Sequence, residues 1–544
     1  MKNRIKQYLL AASMCVGLTA CSDFFEPIPG VQFGLDETFA SKQRTEEYLN
    51  NVYSYVREVT DAIHPNTYGG IFTEASLDGA NRWNKTYAEW TNGSFNSASA
   101  QASEYFSKYY QAIAKASTFI QNVDKCTEAA ASTRGKWKSE ARALRAYYYF
   151  ELLRLYGPIP LIGEDPIPLD ASLEELIKER NSVDECVNFI ATELQSAIDS
   201  GDLLQRAGKA NLGRMDVATC MALKAKLYLY WASPLFNGNT DQASVKNKDG
   251  KQLFPQTEDN SKWAQARDAY ERFMTFATGQ GYKLTEVYTN GKLDPYASCR
   301  AAGEFFTTTW EAVDELIFVK LRDLYDYTYW VCPKFTDFQD TDVTGGGGYY
   351  TTQETVDLFF TKDGLTIEED PGYDKFEGIP SANNFTSGRY YDPNNPSRLY
   401  FDADKSKVLK QWKDREPRFY VNITYSGSIW LNEGKYNEEM RTDFTNGANG
   451  TCGKSKASGD CPDSGYLIRR GAKASNNNGS KHFSPVLRLA DMYLGYAEAL
   501  CMCSDLDNAL TYLNKIRVRA GIPEYTFTAT AGKITCPKTQ TDLL

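Results

Sequence analysis

The feature that most limits what this chain can fold into is an apolar stripe at helical spacing that recurs in segment after segment. Trp137, Ala141, Leu144, Tyr148, Leu152 and Leu155 form one stripe, ended by Gly157-Pro158. Val183, Cys186, Ile190, Leu194 and Ala197 form the next. Ser182 and Glu185 open it at capping-box spacing, so that each satisfies a backbone N–H freed at the helix start. Met215, Ala218, Ala222, Ala225 and Leu229 make a third, stopped before Pro234, and Trp263, Ala266, Tyr270, Phe273 and Ala277 a fourth. Earlier stripes run Leu49, Val52, Val56, Val59 and Phe106, Ile113, Ile120, Val123. Near the C-terminus Leu487, Ala490, Leu494 and Ala497 share a face. Ser504 with Asp507 then caps a helix carrying Leu506, Ala509, Leu510, Leu513 and Ile516, which ends at Gly521 and Pro523. Small alanines facing large aromatics allow close helix packing.

Amphipathic hairpins of this kind resemble tetratricopeptide units, whose stacking buries a continuous core. The expected fold class is therefore mainly α: TPR-like helical hairpins with a large irregular, loop-rich insertion. In residues 279–482 helical stripes are short or absent, and Gly, Asn, Asp, Pro and Tyr dominate, with four consecutive glycines at Gly345 to Gly348. A long irregular segment inside a domain is usually functional. The expected organisation is a scaffold of 41–278 and 483–523, the insertion 279–482, and an incomplete C-terminal segment 524–544.

The N-terminus reads as an export signal, residues 1–20. Lys2, Arg4 and Lys6 precede a short apolar run from Leu9 to Ala20, too short to span a bilayer. It ends Leu18-Thr19-Ala20-Cys21, which resembles a bacterial lipobox, so the mature chain is expected to begin at an acylated Cys21, with 21–40 as a lipid tether. The formal charge of −10 argues against nucleic acid, whose phosphates need clustered Lys and Arg. Two histidines and no paired C-x₂-C spacing make a zinc site improbable, and the motifs imply no cofactor. Cys452 and Cys461 lie in a loop that an exporting cell could oxidise.

Two stretches resemble hallmarks of the SusD-like (RagB/SusD) family. The first is Arg142-Ala143-Leu144-Arg145-Ala146-Tyr147-Tyr148-Tyr149-Phe150, continuing to Leu155-Tyr156-Gly157-Pro158-Ile159-Pro160-Leu161. The second is Leu487-Arg488-Leu489-Ala490-Asp491-Met492-Tyr493-Leu494, continuing through Ala497-Glu498-Ala499 to Leu513-Asn514-Lys515-Ile516-Arg517-Val518-Arg519-Ala520-Gly521. Gly213-Arg214-Met215 opening a helix, and Arg415-Glu416-Pro417-Arg418-Phe419 before an expected strand, are similar to further family features. The resemblance implies four TPR-like helical pairs carrying an irregular ligand-binding half. It also implies a non-enzymatic lipoprotein on the outer membrane, facing outward, that takes up glycans or, in some members, peptides. The implied partner is a SusC-like TonB-dependent barrel. Family members usually continue past the Ala-Gly-Ile-Pro region into an Arg/Glu-rich helix, so a truncated sequence is expected here.

Sugars present polar edges and weakly apolar C–H faces, so a binder needs flat aromatic plates beside hydrogen-bonding side chains. The loop between the first two helices has that composition: Asp78, Asn81, Arg82, Trp83, Asn84, Tyr87, Trp90 and Asn92. A second cluster is Tyr325, Tyr327, Tyr329 and Trp330; Trp310 and Trp430 are weaker candidates. Trp137, Trp231 and Trp263 belong to helical stripes and are read as core. The plainer reading is that the loop aromatics only pack the insertion. Catalytic constellations are weak. Glu74 with Asp78 reads as a solvated or capping pair, and Glu498 as a buried partner of Arg488 or Arg517. No Gly-x-Ser-x-Gly is present, and Gly345 to Gly348 lacks the Lys-Ser/Thr of a phosphate loop.

Overall fold

The computed structural model describes residues 34–56, 63–64, 67–68, 76, 79–81, 93–165, 167, 171–303, 314–322, 329–335, 345–375, 378–431, 440–444, 452, 460–472 and 482–544. The helices are α1 (Leu35–Ala40), α2 (Lys42–Tyr53), α3 (Ala100–Asn122), α4 (Ala131–Tyr156), α5 (Val183–Asp199), α6 (Val217–Ala232) and α7 (Ser261–Gly279). Then come α8 (Pro295–Gly303), the short α9 (Pro417–Asn422), α10 (Leu489–Met502) and α11 (Leu506–Ala520). From α3 to α7 each helix packs on the next. After the excursion through the insertion, α10 returns to lie on α7 and α6, with α11 against it. The fold is thus mainly α, as its periodicity predicts. No helix among the described residues is long and apolar enough to cross a membrane.

The stripes are the core. Trp137, Ala141, Leu144, Tyr148, Leu152, Val183, Cys186, Ile190, Leu194, Ala197, Ala218, Ala222, Ala225, Ala266, Tyr270, Phe273 and Ala277 are all buried in one cluster. Trp231 and Trp263 are buried too. The capping box at Ser182 and Glu185 forms, and Gly157 ends α4 with a φ of +68°. The signature segment on α4 welds neighbours together. Arg145, fully buried, donates from Nε to Glu193 of α5 at 2.9 Å and from Nη1 to Ser117 of α3 at 3.1 Å. Arg142 reaches the other Glu193 oxygen at 3.0 Å. In the span read as tether, α1 buries Phe39 against Tyr48 and Phe119, with ring centroids 5.3 and 5.7 Å apart.

Two expectations about helices are corrected. Phe106 and Leu494 belong to apolar stripes yet are exposed, Leu494 by 43%. On α10 the small Ala490 and Ala497 tuck against neighbours, whereas the longer Leu494 projects between them into the mouths of two clefts. The helix touches α7 instead through Gly495, where a Cβ would lie 2.3 Å from the Tyr270 hydroxyl. Second, the N-cap of α11 is Asp505, accepting from the Asn508 N–H, while Ser504 takes up the preceding turn with a φ of +63°. Arg415 to Phe419 does precede a strand, Ile423–Thr424, with the short helix α9 between them, which Pro417 starts because its missing N–H costs nothing at that position.

The Leu494 correction is measurable. Met492, fully buried, should lose roughly 2–5 kcal/mol of unfolding free energy on replacement by Ala, whereas Leu494→Ala should lose less than about 1 kcal/mol. Denaturant unfolding of the two variants separates them, and equal losses would put Leu494 in the core.

The strands are short: β1 (Ala80–Asn81), β2 (Leu316–Arg322), β3 (Tyr349–Tyr350), β4 (Arg389–Asp392), β5 (Asn395–Asp402), β6 (Ile423–Thr424), β7 (Leu467–Ile468) and β8 (His482–Arg488). β2 and β8 pair antiparallel from His482↔Arg322 to Arg488↔Leu316, so a two-stranded ribbon carries the chain out of the helical array and back. At its foot Glu315 receives Arg519 of α11 and the Thr285 N–H, and its carbonyl accepts the Leu489 N–H that starts α10. This corrects the expectation for Glu498, which is exposed on α10 with no ion pair among the described residues. Arg517 lies over the Tyr525 ring at 3.6 Å and donates to the Pro523 and Gly364 carbonyls. The insertion has small cores of its own, one around Tyr400, Tyr420, Tyr425 and Trp412, another around Trp430. The last residues add a parallel pairing of Tyr525–Thr526 with Ile534–Thr535 and a helical turn, Gln540–Leu543.

Candidate functional site

The site begins with a strand that two distant parts of the chain share. β1 pairs with β3 in the register Ala80↔Tyr350 and Asn81↔Tyr349. β3 pairs on its other edge with β7, and β7 with β6, making a four-stranded sheet. The loop after α2 is therefore stitched to the insertion at Asn81.

Just before β3, Gly345 to Gly348 lie flat along the turn at Tyr329–Pro333. Gly346 donates to the Tyr329 carbonyl at 2.8 Å, Gly347 to Cys332 at 2.9 Å, Gly345 to Pro333 at 3.0 Å and Gly348 to Trp330 at 3.2 Å. A Cβ on Gly345 would come 2.3 Å from the Tyr329 carbonyl oxygen, and one on Gly346 would come 2.5 Å from the Trp330 ring. Only a chain without side chains can approach this closely. Gly346 seats the indole, while Gly345 packs on the backbone of Tyr329 and Cys332 and Gly347 on the Asp460 carbonyl, so the run is a cradle for this turn.

On this cradle Trp330 is half-buried, with the half-buried Tyr329 ring edge-on at 5.2 Å. Beneath lies a buried cluster of Val331, Cys332, Phe335, Tyr349, Met440, Cys452 and Trp430. Trp430, only 1% exposed and with the Arg469 guanidinium 5.6 Å from its ring, is corrected from a weaker binding candidate to core. Lys334 and Asp460 form an ion pair beside the glycine run. The indole of Trp330 is thus partly buried against this apolar cluster and keeps a part of its surface in solvent.

The structure thus brings together Asn81, Tyr329 and Trp330. Asp78, Arg82, Trp83, Trp90 and Tyr325 lie outside the described residues, as do Cys21, Glu74, Asn84, Tyr87, Asn92, Trp310 and Tyr327. The half-buried Tyr350 and the glycine cradle escaped the sequence reading. Their signal was four glycines directly followed by two tyrosines.

A separate cleft of about 520 Å³ opens between α8, α9, α10 and α11. Arg418, Arg470, Arg488 and Arg519 line it together with Glu416 and Asp491. Burial, with the like charge of Arg470 added, pushes the Arg488 guanidinium down to about 10. The carboxylates are engaged: Glu416 accepts from Arg418 and from the Phe360 N–H, and Asp491 from Lys226. Glu416 and Arg418 come from the Arg415–Phe419 segment, and Arg488, Asp491 and Arg519 from the C-terminal one.

The fold defines the class as a mainly helical scaffold carrying an irregular insertion, and comparison with known proteins specifies the family. Residues 315–544 match the model described as SusD family, and residues 32–229 match that described as starch-binding associating with outer membrane. The chain belongs to the SusD-like family. A SusD-like protein of Bacteroides ovatus is 27% identical over 175 residues, 31% of this chain and only 30% of that relative's length. Among solved structures, BT4246 superposes with a TM-score of 0.72 at 23% identity, over 92% of this chain and 85% of the other. A SusD-like carbohydrate binding protein of Bacteroides fragilis does so with a TM-score of 0.61 at 18% identity, over 93% and 83%. At these identities the likeness shows a shared fold.

Proposed function

We propose that this chain is a cell-surface glycan-binding protein that hands oligosaccharide, without cleaving it, to a SusC-like TonB-dependent transporter in the outer membrane. The single observation that carries the reading is the partly exposed Trp330 seated against Gly346, in a run that leads through β3 to the pairing with Asn81. The binding residues on this reading are Trp330, Tyr329 and Asn81, with Asp78, Arg82, Trp83, Trp90 and Tyr325, which lie near them in the sequence. A neutral, hydroxyl-rich ligand fits such a set, because stacking supplies the apolar contact and amide and phenol groups the hydrogen bonds. Calorimetry against panels of oligosaccharides and peptides tests it. Heat from an oligosaccharide, with unchanged ligand recovered afterwards, is the expected result. Binding confined to peptides, or cleaved product that scales with protein concentration, overturns the glycan-binding or the non-catalytic part respectively.

The anchor is proposed at Cys21. Cys21→Ser should release the protein from membranes or leave it unprocessed. Membrane fractionation and the mass of the mature chain decide this, and unchanged attachment at normal mass would overturn it.

A further inference from the structure

We infer that Cys332 and Cys452 are joined by a disulfide in the exported protein, tying the turn that bears Trp330 to the segment beside Asp443. This rests on the reading that the chain is exported, and adds a covalent modification site to it. Both residues belong to one small cluster of nine buried side chains, with Val331, Phe335, Tyr349, Trp430 and Met440 among the others. They are 1% and 0% exposed, so each sulfur is enclosed by the same packing.

The glycine run holds Cys332 in place. Its carbonyl accepts the Gly347 N–H at 2.9 Å, and a Cβ on Gly345 would lie 2.5 Å from the Cys332 Cβ. Cys452 has its own anchor. Its N–H donates to the Asp443 carbonyl at 3.0 Å, and Asp443 follows a segment whose Met440 carbonyl and Thr442 N–H bond to Trp430 and Ser428. Burial, and after it the nearby Cys452 sulfur, push the Cys332 thiol up. Two anchored residues whose sulfurs feel each other inside one small cluster meet the first requirement of a disulfide, which needs Cα atoms about 5.5–6 Å apart.

Cys461 is the rival, nine positions from Cys452 and next to Asp460, whose carbonyl abuts Gly347. It is buried outside the shared cluster. Linking residues 120 positions apart also restricts the unfolded chain more than closing that short loop would. The structure holds the sulfurs as thiols, and a buried thiol has too little thiolate to react. The bond therefore forms during folding, before the cluster closes. One cysteine thiolate attacks the disulfide of an oxidised dithiol protein outside the cytoplasm, and the second displaces that protein from the mixed disulfide. The two cysteines lose two protons and two electrons as their S–S bond forms, and the oxidant's disulfide becomes a dithiol.

The test takes the full chain from cells, alkylates it in denaturant without reductant, and maps its peptides by mass spectrometry. Peptides holding Cys332 and Cys452 should emerge linked, two hydrogens lighter than their sum, with Cys461 alkylated. The full chain, reduced and refolded in a glutathione redox buffer, should form the same link. A link in the refolded chain but not in the cellular one overturns the export reading while the pairing stands. A bond from Cys461 to either residue, or alkylation of both residues in both samples, overturns the disulfide alone. Melting temperatures give a second measure. Cys332→Ala and Cys452→Ala should each lower the melting temperature by about 5 °C, and the double variant by well under the sum, because one bond can be lost only once. Full additivity overturns the bond.

Discussion

Replacing Glu315 with Gln should lower the unfolding free energy by roughly 3–5 kcal/mol, because it leaves a buried cation without its counter-charge. Glu315 is 1% exposed and takes two hydrogen bonds from Arg519 Nη1, each 2.8 Å, and one from the Thr285 N–H at 2.7 Å. Arg488 stands 3.7 Å away. Burial alone would raise this carboxyl, yet the two guanidiniums hold it below the usual carboxylate range. Gln keeps the shape but not the charge, and Arg519, whose Nε already has no hydrogen-bond partner, would be stranded. The loss should be larger than for most single substitutions, since Glu315 links the foot of the β2–β8 ribbon to both α10 and α11. A depressed carboxyl contributes stability above its unfolded pKa and loses it as pH falls through that value and below. The difference between wild type and variant should therefore shrink below about pH 4. Urea unfolding at pH 7 and in acid measures both effects. Combining Glu315→Gln with Arg519→Met should recover part of the loss. A single-variant loss under about 1 kcal/mol would show that the pair does not couple these elements.

The second large effect is on binding. Trp330→Ala should weaken oligosaccharide binding about tenfold, the loss of roughly 1–2 kcal/mol of ring burial against a sugar face. Gly346→Val should do the same without touching the ring chemically, because its Cβ would start 2.5 Å from the indole and push it off the cradle. If both act through one indole, the double variant should be no worse than either single one. Calorimetry with an oligosaccharide already shown to bind gives the three affinities, and melting temperatures separate displacement from unfolding. Wild-type affinity in both single variants would remove Trp330 from the site. Full additivity would mean that the glycine run acts on binding by another route.

How much was legible differs between the two halves of the molecule for a physical reason. Helix periodicity is local: residues three and four apart share a face, so Leu144 and Tyr148, or Ile190 and Leu194, announce their burial before any fold is known. Capping is local too, and Ser182 with Glu185 forms as its spacing predicts. The insertion has no such period. Whether an aromatic there is plate or core depends on which distant segment covers it, so Trp330 and Trp430, alike by composition, part company only in three dimensions.

The same distinction governs the corrections. Leu494 fits its stripe, but an amphipathic face says only which side of a helix is apolar, not how far its neighbour reaches along it. Glu498 lies in a signature segment, yet the carboxylate that meets Arg488 and Arg519 is Glu315, far upstream, because the ribbon β2–β8 brings the chain back beside its own exit. Sequence by itself determined most scaffold helices, the Ser182–Glu185 cap, most inward faces and the resemblance to SusD-like proteins, all of which rest on interactions within a few turns or on motifs. Tertiary structure alone decided that Asn81 pairs with Tyr349, that Glu315 is buried with Arg519, and that Trp430 is covered. Contacts between residues hundreds of positions apart leave no local pattern, because the chain between them sets their meeting only once it has folded.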